Sequence, residues 1–251
     1  MQFGVDQAAL ARNVAGYLWA GLRRGEGALV IAGAENQGAI ARQLELLGAD
    51  LADVLQSRHL VVWDAQATLK GFLVDGQPDW DRFQRLMWAA ILQVRRRKLE
   101  VRAYGEMVSI LWQQRRYAAA LRLEQFWNKL LEQPFLSLFC AYAVDVFGND
   151  CDFAGLDGVL ATHTHVVPAD LDGHLALALD CALDDLLGAD AASVRLRMKA
   201  HDRPAWAIMP VAERIALWLR QNLPEQAGRI LERARRHAEL LAAAPLSGYR
   251  A

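Results

Sequence analysis

Ala28-Leu29-Val30-Ile31-Ala32 runs without a break into Gly33-Ala34-Glu35-Asn36-Gln37-Gly38-Ala39-Ile40. A short, unbroken apolar run that meets glycine at once suits a strand buried on both faces of a parallel sheet. Gly33 and Gly38 have the spacing of a phosphate-binding loop, G-x-x-x-x-G-K-[ST]. In that loop a lysine neutralises the β- and γ-phosphates and a hydroxyl holds magnesium, but Ala39 and Ile40 stand in those two places. Two readings stay open: a phosphate loop stripped of its working groups, or an ordinary strand-to-helix turn. Neither supports magnesium-dependent hydrolysis. Backbone amides at the helix start could still attract an anion.

The same alternation extends on both sides of this stretch. Leu10, Val14, Tyr17, Leu18 and Leu22 follow helical spacing, and Arg23-Arg24-Gly25 ends that helix. A second helix carries Ile40, Leu44 and Leu47, and Leu60-Val61-Val62-Trp63 is a second strand candidate ending in Asp64. Pro78 and Asp79 open a helix with Trp80, Phe83, Met87, Ala90 and Val94 on one face. Val101–Tyr104 is a third strand, broken by Gly105. One helical stretch then runs from about Glu106 to Glu132, and Phe135–Tyr142 is a fourth apolar run. Strands and helices alternating in this way predict an α/β fold with a doubly wound, mostly parallel sheet. After Pro168 the pattern is helical throughout, so residues 171–251 are expected to form an α-helical C-terminal extension.

The chain has 251 residues, 54% of them apolar, and a formal net charge of −1. That composition supports a sizeable core and argues against nucleic acid or an anionic membrane surface as a partner. No apolar run has the length of a membrane-spanning helix. Met1-Gln2-Phe3-Gly4-Val5-Asp6 is not the start of a signal peptide. Cys140, Cys151 and Cys181 form no C-x-x-C pair, which fits a reducing compartment. A cytoplasmic location is expected.

Five stretches together resemble one family. They are Phe72-Leu73-Val74-Asp75-Gly76-Gln77-Pro78-Asp79, Val101-Arg102-Ala103-Tyr104-Gly105-Glu106-Met107, Ala119-Ala120-Leu121-Arg122-Leu123-Glu124-Gln125-Phe126-Trp127-Asn128, Phe139-Cys140-Ala141-Tyr142 and His163-Thr164-His165-Val166-Val167-Pro168. In this order they resemble the MEDS domain, the methanogen/methylotroph DcmR-type sensory domain. The resemblance implies a degenerate RecA/KaiC-like sheet over residues 1–170 that senses a small molecule such as a hydrocarbon derivative. Such domains accompany histidine kinases or DNA-binding modules. The family begins with a strand carrying a His. Here the chain is read as starting almost directly in the first helix, and no His precedes His59.

Each candidate site residue has a second reading. Glu106, after a strand and a glycine, points from the strand end or favours the positive end of its helix. Glu124 and Asn128, four apart on a helix, serve a ligand or clamp Arg102 or a loop carbonyl. Cys140 and Tyr142 face one side of an extended strand and line a pocket, or Cys140 is a small core residue. His163 and His165 form an incomplete metal set, and His163 is kept as a ligand-binding candidate. Asp64 is a helix cap or a pocket wall. The basic runs Arg95–Lys98 and Arg229–Arg236 read as solvated helix faces.

A non-catalytic sensory domain is therefore expected, with its ligand near Gly33, Gly38, Asp64, Glu106 and Tyr142. No metal or cofactor is expected. The expected partner is a histidine kinase or transcription regulator, with a homodimer as a further option. A non-hydrolysing nucleotide-binding protein is the alternative. A scaffold acting through Trp206, Trp218 and Leu219 is another.

Overall fold

A computed structural model describes residues 1–3, 6–95, 100–148, 156–167, 174–200 and 209–243. The chain divides into two compact units, Met1–Ala143 and Val144–Ala251. Arg96, Arg97, Lys98, Cys151, Pro168, Trp206 and the 170/171 boundary lie outside the described residues.

The first unit is built on strands β1 (Gln2–Phe3), β2 (Gly27–Ala32), β3 (Leu60–Asp64), β4 (Leu73–Val74), β5 (Gln77–Pro78), β6 (Val101–Gly105) and β7 (Leu136–Tyr142). Its helices are α1 (Gln7–Leu22), α2 (Ala34–Leu46), α3 (Leu51–Gln56), α4 (Ala65–Phe72), α5 (Trp80–Val94), α6 (Met107–Gln113) and α7 (Tyr117–Leu131). Five strands form one sheet in the order β1-β7-β6-β2-β3, and every pairing in it is parallel. β2 is buried at all six positions, as its unbroken apolar run predicts. Helices flank both faces, and β6 shows this by its alternation. Arg102 reaches the carbonyl of Tyr17 in α1, whereas Gly105 lies against Trp127 of α7. The small size of Gly27 is required at the bottom of β2, where a Cβ would stand 2.7 Å from the Val94 carbonyl oxygen.

Two expectations need correction. A strand does precede the first helix, because Gln2 pairs with Ala141 and Phe3 with Tyr142. Two residues are too few to show periodicity in a sequence, and the pairing is supplied by β7. Second, the stretch from Glu106 to Glu132 is two helices, broken where Arg115 takes φ 56°. The structure adds one feature that the sequence reading did not contain: Asp75-Gly76 turns a two-strand hairpin between β4 and β5, with φ 48° and 76°. Positive φ at both central residues is what a tight hairpin turn needs.

The second unit contains α8 (Leu156–Leu160), α9 (His174–Leu187), α10 (Ala191–Ala200), α11 (Val211–Asn222) and α12 (Pro224–Ala243). Its core brings Ala178, Leu179, Ala182 and Leu183 of α9 together with Ala227, Ile230, Leu231 and Ala234 of α12. Arg195 holds Asp180 and Asp184, and His237 meets Asp185 at 2.9 Å. Trp218 and Leu219 are buried, so the expected interaction face through them is corrected: helical packing consumes both side chains. No helix among the described residues is long and apolar enough to cross a membrane.

Candidate functional site

The chain leaves β2 to form β3 on one side of it, then returns to form β6 on the other. The C-terminal ends of β2 and β6 therefore diverge at the place where open α/β sheets bind ligands. Gly33 is the N-cap of α2, and the helix begins at Ala34. Residues 34–38 are thus helical and form no extended loop, and Gly38 lies inside α2 beside Arg42. An anion at this helix end would seek the free amide of Gly33. That amide already donates to Glu106 Oε2 at 2.8 Å. Asn36 Nδ2 donates to Glu106 Oε1 at 2.6 Å, and the Tyr104 hydroxyl donates to the same oxygen at 2.8 Å. A carboxyl group from the end of β6 thus takes one of the free amides at the start of α2. Burial, then the neighbouring Glu106, pushes the Tyr104 phenol well up, so Tyr104 remains a donor. Gln37 closes the adjoining gap by donating to the carbonyls of Ala32 and Trp63 at 2.7 and 3.1 Å.

A second polar cluster lies at the end of β7. Cys140 and Tyr142 project to the same face of the strand, and both reach Glu124 on α7. The Tyr142 hydroxyl donates to Glu124 Oε1, and the Cys140 thiol is hydrogen-bonded to the same carboxyl. Glu124 is 1% exposed. Burial raises its pKa to about 7, although the bonds from Tyr142 and Cys140 and the Met1 amine pull the other way. Burial also pushes the Tyr142 phenol and the Cys140 thiol well up. All three groups hold their protons more tightly than they would in water. The surroundings are aromatic: Phe3 lies 6.1 Å from the Tyr142 ring, and Trp112 meets it edge-on at 5.9 Å. Few polar atoms set among aromatic walls are the usual make-up of a small-molecule site.

The remaining candidates are placed elsewhere. Asp64 is exposed and caps α4, accepting from the Ala67 amide at 2.7 Å. Asn128 is half-buried and hydrogen-bonds to neither cluster among the described residues. Arg102 is clamped at the opposite end of β6 by Glu26 at 2.7 Å and by the Tyr17 carbonyl, not by Glu124 or Asn128. His163 belongs to the second unit, where its Nδ1 lies 2.8 Å from the Val159 carbonyl oxygen. Burial pulls it down to about 4, which leaves the ring neutral at pH 7. Sequence reasoning missed Tyr104 and Asn36. Tyr104 carries a signal, since it stands two residues before Glu106 on the same strand.

Residues 1–164 match the family described as MEDS, MEthanogen/methylotroph, DcmR Sensory domain. The chain belongs to the MEDS family. Both polar clusters of the sheet lie inside the matched MEDS region. The chain has no match among curated proteins or solved structures. MEDS membership is consistent with a sensory or regulatory role.

Proposed function

We propose that this MEDS chain is a non-catalytic sensory module that binds a small, largely apolar molecule beside the Glu124–Tyr142–Cys140 cluster. The observation that carries the reading is the composition of that cluster: one buried carboxyl, one phenol and one thiol, with Phe3 and Trp112 around Tyr142. Such a lining suits a hydrocarbon or halogenated hydrocarbon derivative that offers a single polar group. The nucleotide alternative is disfavoured because Ala39 and Ile40 replace the lysine and hydroxyl of a phosphate loop and because Glu106 already takes the Gly33 amide. The non-catalytic reading is supported by both polar clusters being hydrogen-bonded within themselves. Occupancy shifts the population of two arrangements of the chain, which a cytoplasmic histidine kinase or transcription regulator reads. A degenerate RecA/KaiC ancestry belongs to the same proposal, supported by the strand that leads through Gly33 into a helix.

The test is a fluorescence titration with a panel of small alcohols and halogenated alkanes, using Trp112 as the reporter. A saturable quench that is lost in Glu124→Gln and in Trp112→Phe supports the site. A quench that survives both substitutions places the ligand elsewhere.

A further inference from the structure

β3 is an edge strand, and among the described residues it pairs only with β2. Natural sheets guard such an edge with lysine, proline or an inward-pointing charge, because its unpaired backbone groups invite another strand. Leu60-Val61-Val62-Trp63 has none of these guards. Exposed apolar side chains gather around the same edge. Of the ten large apolar residues exposed among the described residues, four lie between positions 46 and 62: Leu46 (78%), Leu47 (45%), Leu55 (46%) and Val62 (37%). They sit on α2, α3 and β3, with Leu47 just past the end of α2, and α3 touches both α2 and β3.

We infer that β3 is a self-association edge at which a second copy of this chain adds its own β3 antiparallel, joining the two sheets across a two-fold axis through Val62. The choice of a second copy rests on charge and register. The basic end of the strand carries Arg58, exposed at φ 57°, with His59 beside it, and the other end carries the exposed Asp64. Antiparallel pairing about Val62 brings each Arg58 end alongside the other copy's Asp64 end. Parallel pairing would set Asp64 beside Asp64. In the antiparallel register Val62 faces its own copy, and Val61 faces Trp63, a β-branched residue against an aromatic. The near-zero net charge of −1 opposes no such contact between copies. This inference goes beyond ligand sensing and does not depend on it.

The test is sedimentation velocity on the full chain. The expected result is a dimer for the wild type and for Val62→Thr, which keeps strand propensity and adds no charge. Val62→Lys is expected to sediment as a monomer with an unchanged far-UV circular dichroism spectrum. Val62→Cys provides a second, independent measurement. Facing residues of an antiparallel pair have Cα atoms about 4.5–5.5 Å apart, which a disulfide can span. Mild oxidation is expected to give a covalent dimer well above that of the wild type. A wild type that stays monomeric at every concentration reached overturns the inference. A Val62→Lys chain that remains dimeric, or dimerisation only with a different protein, also overturns it.

Discussion

Glu124 is a carboxyl group whose environment sets its chemistry. Burial lifts its pKa from 4.5 to about 7. The folded chain therefore keeps a proton there that the unfolded chain releases. The stability this group contributes is full below about pH 4.5 and is lost as pH rises through about 7. A shift of this size corresponds to about 3 kcal/mol. Urea denaturation of the wild type between pH 5 and 8 is expected to show that decline, and Glu124→Gln is expected to flatten it. Glu106 behaves differently because it accepts from three donors at once. Glu106→Ala leaves the Gly33 amide, Asn36 and the Tyr104 hydroxyl without it. A loss of about 2–4 kcal/mol is expected by chemical denaturation, since a buried donor such as the Tyr104 hydroxyl left unsatisfied costs about 1–3 kcal/mol and the half-buried Gly33 and Asn36 donors add less.

At the scale of elements, legibility followed the length of the apolar run. β2, β6 and β7 are readable as apolar runs beside glycine or proline, and β3 as an apolar run ending in Asp64. The β4–β5 hairpin escaped notice although Asp75-Gly76 is a strong turn signal, because its strands are two residues each and show no alternation. The break after α6 was hidden because apolar residues continue on both sides of the polar Gln113–Arg116 segment. The glycine spacing at Gly33 and Gly38 pointed to a loop, but Ala34–Gly38 are good enough helix residues that α2 starts at once. Glu124, Cys140 and Tyr142 could be singled out as polar groups on apolar faces. That they meet could not be read, because it depends on how α7 lies across β7. At the base of β2, Gly27→Ala is expected to destabilise by about 1–3 kcal/mol, since the neighbour it meets is backbone and cannot swing away. A melting curve checks this, and an unchanged midpoint would show that α5 can shift to make room.

For the whole molecule, family membership and the chemistry of the sheet's two polar clusters bear on one question, which is what the chain binds. The chain belongs to a sensory family, and at the ends of β2 and β6 the Glu106 carboxyl takes the Gly33 amide. The proposed ligand site is the aromatic environment of the second cluster. The measurement that tests this most directly is a thermal-shift comparison of the full chain with magnesium-ATP and with a panel of small apolar and halogenated compounds. A ligand present at about 100 times its dissociation constant stabilises by about 2.7 kcal/mol, a readily measured rise in melting temperature. The account predicts a rise with one or more apolar compounds, none with magnesium-ATP, and loss of the rise in Glu124→Gln. A rise with magnesium-ATP and none with any apolar compound would contradict it.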